Sequence, residues 1–380
     1  MQVLTIDIGT GTQDIYLFQS GTSLENGFKL VLPSPTMMVR QAIGAATQRR
    51  LPILLSGVTM GGGPSQWATE SHLAAGLPVY ATPEAALTFN DDLDWVEAEM
   101  RVTIVSADEA SALRGVKRIA FKDFDFKAIR DAFARFDVRL EPAAVGVAVF
   151  DHGAAPPGVS DRQFRFDYLK SQLEKRNALT SFAFRPGDIP AAMTRLQAVV
   201  KSAGDLDCPL IVMDTAPAAV LGALLDPIVA TEPHQMITNI GNFHTLAFRL
   251  GPAGVEGLFE HHTGLINLQR LEVLLLALAD SSLTHQQVFG DQGHGALVLE
   301  PDALDLSRLP FGVAVIGPRR RMLAGSQLRP YFAVPFGDMM IAGCLGLLRA
   351  CQELVPEAQE AIRGALSGAA DDRAPWDLGS

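Results

Sequence analysis

The sequence predicts an α/β protein of two lobes facing each other across a cleft. Three observations carry this. Short apolar runs alternate with stretches of helical spacing along nearly the whole chain, the pattern of strands interleaved with helices. A length of 380 residues exceeds what one small core organises and sets a prior of two or three domains. A glycine-centred hairpin near residue 10 is echoed by another near residue 241, as two similar halves would produce.

Residues 3–7 form an apolar run ending on Asp7, residues 15–19 form a second, and Gly9-Thr10-Gly11-Thr12 between them is turn material. Residues 28–32 add a third strand, and residues 35–49 a helix that ends before Leu51-Pro52. Residues 53–55 read as a buried strand running into Gly57-Val58-Thr59-Met60-Gly61-Gly62-Gly63-Pro64. Three glycines and a proline in succession exclude strand and helix, so this is a loop. Between 79 and 121 short apolar pieces alternate with turns and define no clear element. Helical spacing follows over 126–136. Residues 144–150 are continuously apolar, hence a central strand, and end on Asp151-His152-Gly153. Helices are expected over 161–176 and 189–202, and a buried strand over 210–213 ends on Asp214. Residues 237–239 and 245–249 flank the second glycine bend. A helix over 266–279, a strand over 313–316 and a closing helix over 339–354 complete the pattern. The tail after Gly364 is small and polar and is expected to fray.

Composition narrows the function. The 31 basic and 42 acidic residues give a net charge of −11, which repels phosphate backbones and anionic lipid. The dense basic run is Arg319-Arg320-Arg321 alone, so neither nucleic acid nor a membrane surface is an expected partner. Three cysteines, Cys208, Cys344 and Cys351, exclude a disulfide framework and fit a reducing cytosol. No apolar stretch reaches bilayer length, and the first residues lack the layout of a signal peptide. A cytoplasmic protein is expected, with assembly into a homo-oligomer left open.

In the first hairpin the glycines let backbone N–H groups point into the turn's concavity, and Thr10 and Thr12 add hydroxyls. Such a nest suits phosphate oxygens, and Asp7 at the strand end suits hydrated Mg²⁺. The second hairpin, Asn239-Ile240-Gly241-Asn242-Phe243-His244-Thr245, repeats the device. Two nests, one per half, grip a polyphosphate from both sides. Asp151-His152 ends a central strand, where α/β sheets open onto ligands, and is expected to move a proton or order water. Asp214 ends another strand and is the competing acid. His244, His261, His262 and His294 stand beside glycines or these motifs. With Asp291 they form an alternative Zn²⁺ or other transition-metal set, although no HxH or HxxxH spacing supports it. Gly61, Gly62 and Gly63 join them as a separate, non-nucleotide lining.

These hairpins resemble the phosphate motifs of the ASKHA superfamily of actin-like ATPases, sugar kinases and heat-shock chaperones. Asp7 to Asp14, Gln13 included, is similar to its first phosphate motif, and Asn239 to Thr245 to its second. Residues 216–222 resemble its first connecting helix, where small side chains let two helices cross closely, and residues 337–346 its second. Val313-Ala314-Val315-Ile316-Gly317-Pro318 resembles the adenosine motif. Asn239 stands where many relatives have an aspartate, and Asp214 lies one residue off the sugar-kinase position. The combination of MGGGP, VFDHG, DTAPAAVLGAL, NIGNFHT, EHHTG, GHGA and VPFGDMM resembles one ASKHA family labelled after the pyruvate formate-lyase activating enzyme. A radical-SAM activase ligates its cluster through CxxxCxxC, and this chain has no such trio, so that activity is set aside.

The resemblance implies a two-lobed, ribonuclease H-like fold: a first lobe over 1–232 with an inserted subdomain, a second over 233–335, a returning helix over 336–365 and a tail over 366–380. It implies ATP and Mg²⁺ held by Asp7, Gly9, Thr10, Gly11, Thr12, Gln13, Asn239, Gly241, Asn242, His244, Thr245, Gly317, Pro318, Gly337 and Asp338. Phosphotransfer to an unidentified small metabolite, or ATP hydrolysis, is the expected activity, with Asp151 and His152 preferred to Asp214 as the catalytic pair. A metal-dependent hydrolase or ligase without nucleotide turnover, and a nucleotide-gated binding protein, are the alternatives.

Overall fold

The computed structural model describes residues 1–204 and 206–368. Strands β1 (Gln2–Ile8) and β2 (Thr12–Gln19) pair antiparallel around the first glycine turn, and β3 (Phe28–Pro33) extends the meander. The chain then leaves the sheet to build an inserted layer. Here β4 (Ile53–Gly57), β5 (Val79–Ala81), β6 (Thr103–Ile104) and β7 (Lys117–Phe121) form a parallel sheet in the order β6-β5-β4-β7. Its core, including Val39, Ile43, Leu55, Val79 and Ile119, is separate from that of the main sheet. The stretch from 79 to 121 defines no element in sequence because its strands run only two to five residues, too short for a period to register.

The chain returns as β8 (Pro142–Val149), parallel to β1, followed by β9 (Ala183–Phe184) and β10 (Leu210–Asp214), which lies parallel to β8. The first sheet therefore runs β3-β2-β1-β8-β10-β9. In the second lobe β11 (Gln235–Ile240), β12 (His244–Gly251), β13 (Gly254–His262) and β14 (Gly295–Val298) form a meander. Strands β15 (Val313–Ile316) and β16 (Pro330–Phe332) add in parallel on the far side of β11, giving β14-β13-β12-β11-β15-β16. Both sheets thus share one plan: a meander opened by a glycine hairpin, then parallel strands beside its first strand. This duplicated plan is the two-lobed actin-like ATPase fold.

The lobes are locked by two crossed helices. The Thr215–Ala223 helix follows β10, yet Ala216, Ala219 and Val220 pack with Ile237, Leu246 and Phe248 of the second lobe. The Ala342–Leu354 helix follows β16, yet Leu345, Leu347 and Leu348 pack with Val3, Tyr16 and Ala144 of the first. They cross at glycine: a Cβ on Gly222 would lie 1.7 Å from the Ala342 carbonyl oxygen, and one on Gly346 1.8 Å from that of Ala218.

Several helices start later than their apolar spacing suggests. The one expected from residue 189 begins at Thr194, because Ile189 precedes Pro190 and is held extended at ψ 125°. The closing helix starts at Ala342 rather than 339. A final helix, Pro356–Leu366, runs past Gly364 into the expected tail, whose residues from 369 lie outside those described. Among the described residues no helix is long and apolar enough to cross a membrane.

Candidate active site between two hairpins

The two glycine turns close with the same bond. The Gly9 amide donates to the Thr12 carbonyl at 2.9 Å, and the Gly241 amide to the His244 carbonyl at 2.9 Å. The turns meet across the cleft, where a Cβ on Gly11 would fall 2.6 Å from Asn242 Nδ2. Around this contact lies a cavity of about 400 Å³. Asp7, Gly9, Thr10, Gly11 and Thr12 line it from the first lobe, and Asn239, Gly241, Asn242 and His244 from the second. Gly317 and Pro318 after β15, Gly61, Gly62 and Gly63 from the inserted layer, and Asp151 and His152 after β8 complete the predicted residues that reach it.

Four expected ligand residues do not line it. Gln13 turns outward, its amide donating to the Pro33 carbonyl at 3.0 Å. Thr245 is fully buried, its hydroxyl 2.9 Å from that of Thr263. Gly337 and Asp338 lie short of the cavity; Asp338 accepts the Met340 amide at 2.9 Å and faces Lys29 at 3.8 Å, leaving Met339 and Met340 as lining.

Asp7 and Asp14 occupy opposed positions of β1 and β2, so their carboxylates share one face, and both reach the cavity. Burial lifts Asp7 to about 6, helped by Asp214 and opposed by the Thr215 hydroxyl, which donates to Oδ1 at 2.5 Å. Burial and the neighbouring Asp7 lift Asp14 to about 8. Asp14 Oδ1 is buried without a partner. Two crowded carboxylates with an orphaned oxygen fit a hydrated divalent cation, which would supply the charge they lack. Sequence reading singled out only Asp7.

The catalytic pair looks different in place. Asp151 Oδ1 accepts the Gly153 amide and Oδ2 the Leu196 amide, both at 2.9 Å. Its carboxylate thereby pins the strand end to the Thr194–Ala203 helix, with one backbone amide on each oxygen. Burial raises its pKa. Asp214 does not line the cavity. It caps the Ala216 amide at 3.0 Å and pairs with Arg165 at 2.6 Å.

Arg165 is an unforeseen anchor. It is 0% exposed, donates from Nε to Glu260 Oε2 at 2.8 Å, and lies 4.1 Å over the Phe150 ring. One guanidinium thus ties β10 of the first lobe to β13 of the second. Burial lifts Glu260 to about 7 despite that pairing.

Beside this triad the histidines sort themselves. His152, His244, His294 and Glu260 each offer a ligand atom, all within 4.8 Å of one another. Burial holds His152 down to about 3, and His244 and His294 are also held low, each disfavoured further by neighbouring cations and imidazoles. The imidazoles are therefore neutral. His261 is excluded, since it points to the other side of β13 with Nε2 3.4 Å from Asp291. Asp291 is held by Arg270 at 2.6 Å and does not join the cluster. His262 lies alongside, its ring 4.6 Å from that of His294. Glu260 escaped sequence reading although it begins the EHHTG motif.

The glycine loop is held from below. The Gly61 amide donates to both Asp123 oxygens at 3.2 Å, and Arg195 grips the same carboxylate at 2.7 and 3.1 Å. Arg195 also lines the cavity, as does Asp91, whose pKa rises through burial and the proximity of Asp161. Trp67, in the helix after this loop, lies 6.0 Å from Phe243 of the second hairpin, so the inserted layer closes over the cleft.

Residues 60–322 match the family described as "Putative pyruvate format-lyase activating enzyme (DUF1786)". The chain belongs to the DUF1786 family. No curated protein matches it. Among solved structures, this DUF1786 member is similar to the ethanolamine utilization protein EutJ from Carboxydothermus hydrogenoformans, with 11% identity over 91% of this chain and 89% of that one and a TM-score of 0.31. It is similar to a ROK hexokinase from Thermus thermophilus, at 14% identity over 94% and 100% and a TM-score of 0.30. The PilM-PilN type IV pilus biogenesis complex gives 10% identity over 92% and 98% and a TM-score of 0.40. The family description sits poorly with the cysteines of these 380 residues. Cys344 donates to the Asp14 carbonyl at 3.0 Å, Cys351 is buried and Cys208 half-buried.

Proposed function

We propose that this DUF1786 protein binds ATP with Mg²⁺ in the cleft and passes the terminal phosphoryl group to a small metabolite or to water. The observation that carries the reading is the meeting of two like hairpin turns, Gly11 against Asn242, at a cavity with the Asp7–Asp14 pair on its wall. Amides and hydroxyls of residues 9–12 and 241–242 would grip the phosphates from both lobes, and Gly317-Pro318 would abut the nucleoside. Asp7 and Asp14 would hold Mg²⁺ through its water, and the ion would neutralise phosphate oxygens.

Phosphoryl transfer needs positioning and charge stabilisation more than covalent chemistry from the protein. Arg195, fixed by Asp123 and open to the cavity, supplies a fixed positive charge. Asp151 acts as a positioning residue, holding the strand end that carries His152. The acceptor would lie against Gly61–Gly63, Arg195 and Asp91, away from the nests. The reading makes the protein a cytoplasmic phosphotransferase or ATPase and not a radical-SAM activase. A metabolite-library screen for stimulated ATP consumption tests it: a hit abolished by Arg195→Ala supports the acceptor site, and nucleotide binding with no turnover under any metabolite points to a nucleotide-gated binding protein instead.

A further inference from the structure

We propose that His152, His244, His294 and Glu260 hold one divalent transition-metal ion, distinct from any Mg²⁺ carried by nucleotide. The four ligand atoms lie within 4.8 Å of one another. His152 Nε2 and His294 Nε2 stand 3.0 Å apart. Two nitrogens bonded to one ion at about 2.0–2.1 Å lie roughly 3.0–3.4 Å from each other, so this pair is already at ligand spacing.

Orphaned atoms supply an independent argument. Buried polar atoms are ordinarily paired, yet His244 Nε2, His294 Nδ1 and Glu260 Oε1 are all buried without partners. Unpaired groups gathered in one cluster are a costly arrangement for the protein alone; one ion that takes His294 through Nε2 satisfies His244 Nε2 and Glu260 Oε1 and leaves His294 Nδ1 facing Glu260. Charge agrees. Arg165 is paired with both Asp214 and Glu260 in a fully buried triad, which leaves one carboxylate uncompensated, and a cation beside Glu260 balances it.

Imidazoles with a carboxylate select first-row transition ions such as Zn²⁺, Mn²⁺ or Fe²⁺ over Mg²⁺. Glu260 already has Oε2 committed to Arg165 and turns Oε1 to the cluster, 3.5 Å from His294 Nδ1, so the outer shell is built as well. Four neighbouring strand ends contribute. His152 follows β8, His244 opens β12, Glu260 lies near the end of β13 and His294 precedes β14. His152 and His244 line the nucleotide cavity while His294 and Glu260 lie behind them, so the ion would form part of its wall and take a water or an oxyanion from the cavity side. The proposal stands without nucleotide binding.

The test is metal analysis of the purified full-length protein, without nucleotide, after equilibration with Zn²⁺, Mn²⁺ or Fe²⁺ and desalting. About one ion per chain is expected in the wild type, about a tenfold loss in His294→Ala, and full retention in His262→Ala, whose ring is adjacent but outside the set. Should His294→Ala not fold, chelator treatment of the wild type substitutes: the melting temperature should fall and return when the ion is restored. Metal content far below one per chain with all three ions overturns the proposal. So does equal retention in the folded His294→Ala variant, or a melting temperature indifferent to chelator.

Discussion

Asp7 and Asp14 face each other across the first hairpin as direct cross-strand partners; burial raises both, the Asp7 charge raises Asp14 further, and Asp214 adds to the rise at Asp7. On the proposed function a hydrated Mg²⁺ would neutralise this pair. Asp7→Asn should therefore weaken Mg²⁺-dependent ATP binding by about tenfold, roughly 1.4 kcal/mol, and barely change binding without Mg²⁺. Calorimetric titration with and without the metal distinguishes this from a structural turn role, for which both affinities would fall together.

The same pair sets a pH signature. A carboxylate whose folded pKa exceeds its unfolded value binds more protons when folded, so its burial is tolerated at low pH and becomes destabilising as pH rises through the folded value. For Asp7 that window runs from near 4 to about 6, and for Asp14 to about 8. The buried imidazoles act oppositely, with depressed pKa values that make stability rise with pH, but only up to about 6.5. Above that, the metal-free protein should lose stability toward pH 8, with Glu260 contributing near 7. Asp14→Asn should flatten the upper part of this slope in a denaturant-midpoint series. An unchanged slope would place the loss elsewhere.

Asp151 and Asp214 should separate by stability rather than by chemistry. Asp214→Asn removes one partner of a fully buried guanidinium and should cost about 3 kcal/mol or more. Asp151→Asn exchanges a charged acceptor for an amide at the Gly153 and Leu196 amides, and should cost about 1–2 kcal/mol. Equilibrium unfolding of both variants gives the order; a milder Asp214 variant would mean the Arg165 triad holds little.

The helix crossing is testable away from the cleft. Gly346→Ala places a methyl against the Ala218 carbonyl and should destabilise by about 2 kcal/mol or more, since backbone cannot yield as a side chain would. Gly364→Ala, with open space around it, is the control and should be neutral or slightly stabilising.

Much of this architecture was legible in the sequence because its signals are local. Both glycine bends, the apolar run that becomes β8 and the small residues of the crossing helices each read from a few neighbouring positions. What escaped was non-local. Arg165 in a polar-looking helix gives no hint that it is buried between lobes, since its partners Asp214 and Glu260 lie 49 and 95 residues away. The histidine cluster has no ligand spacing in sequence because its members come from separate strand ends. Asp151 read as a free acid because the Leu196 amide that occupies it belongs to a helix 45 residues on. Gln13 and Thr245 were drawn into the site by motif membership, whereas strand alternation turns them away from it.

If both hairpins grip one polyphosphate, the melting temperature with ATP·Mg²⁺ in wild type, Thr12→Val, Asn242→Ala and the double variant reports it. A ligand bound only by the native state raises that temperature by mass action. A clear rise is expected in the wild type, a smaller rise in each single variant, and a loss in the double variant that departs from additivity because both turns share one ligand. No rise in the wild type at millimolar nucleotide would contradict it.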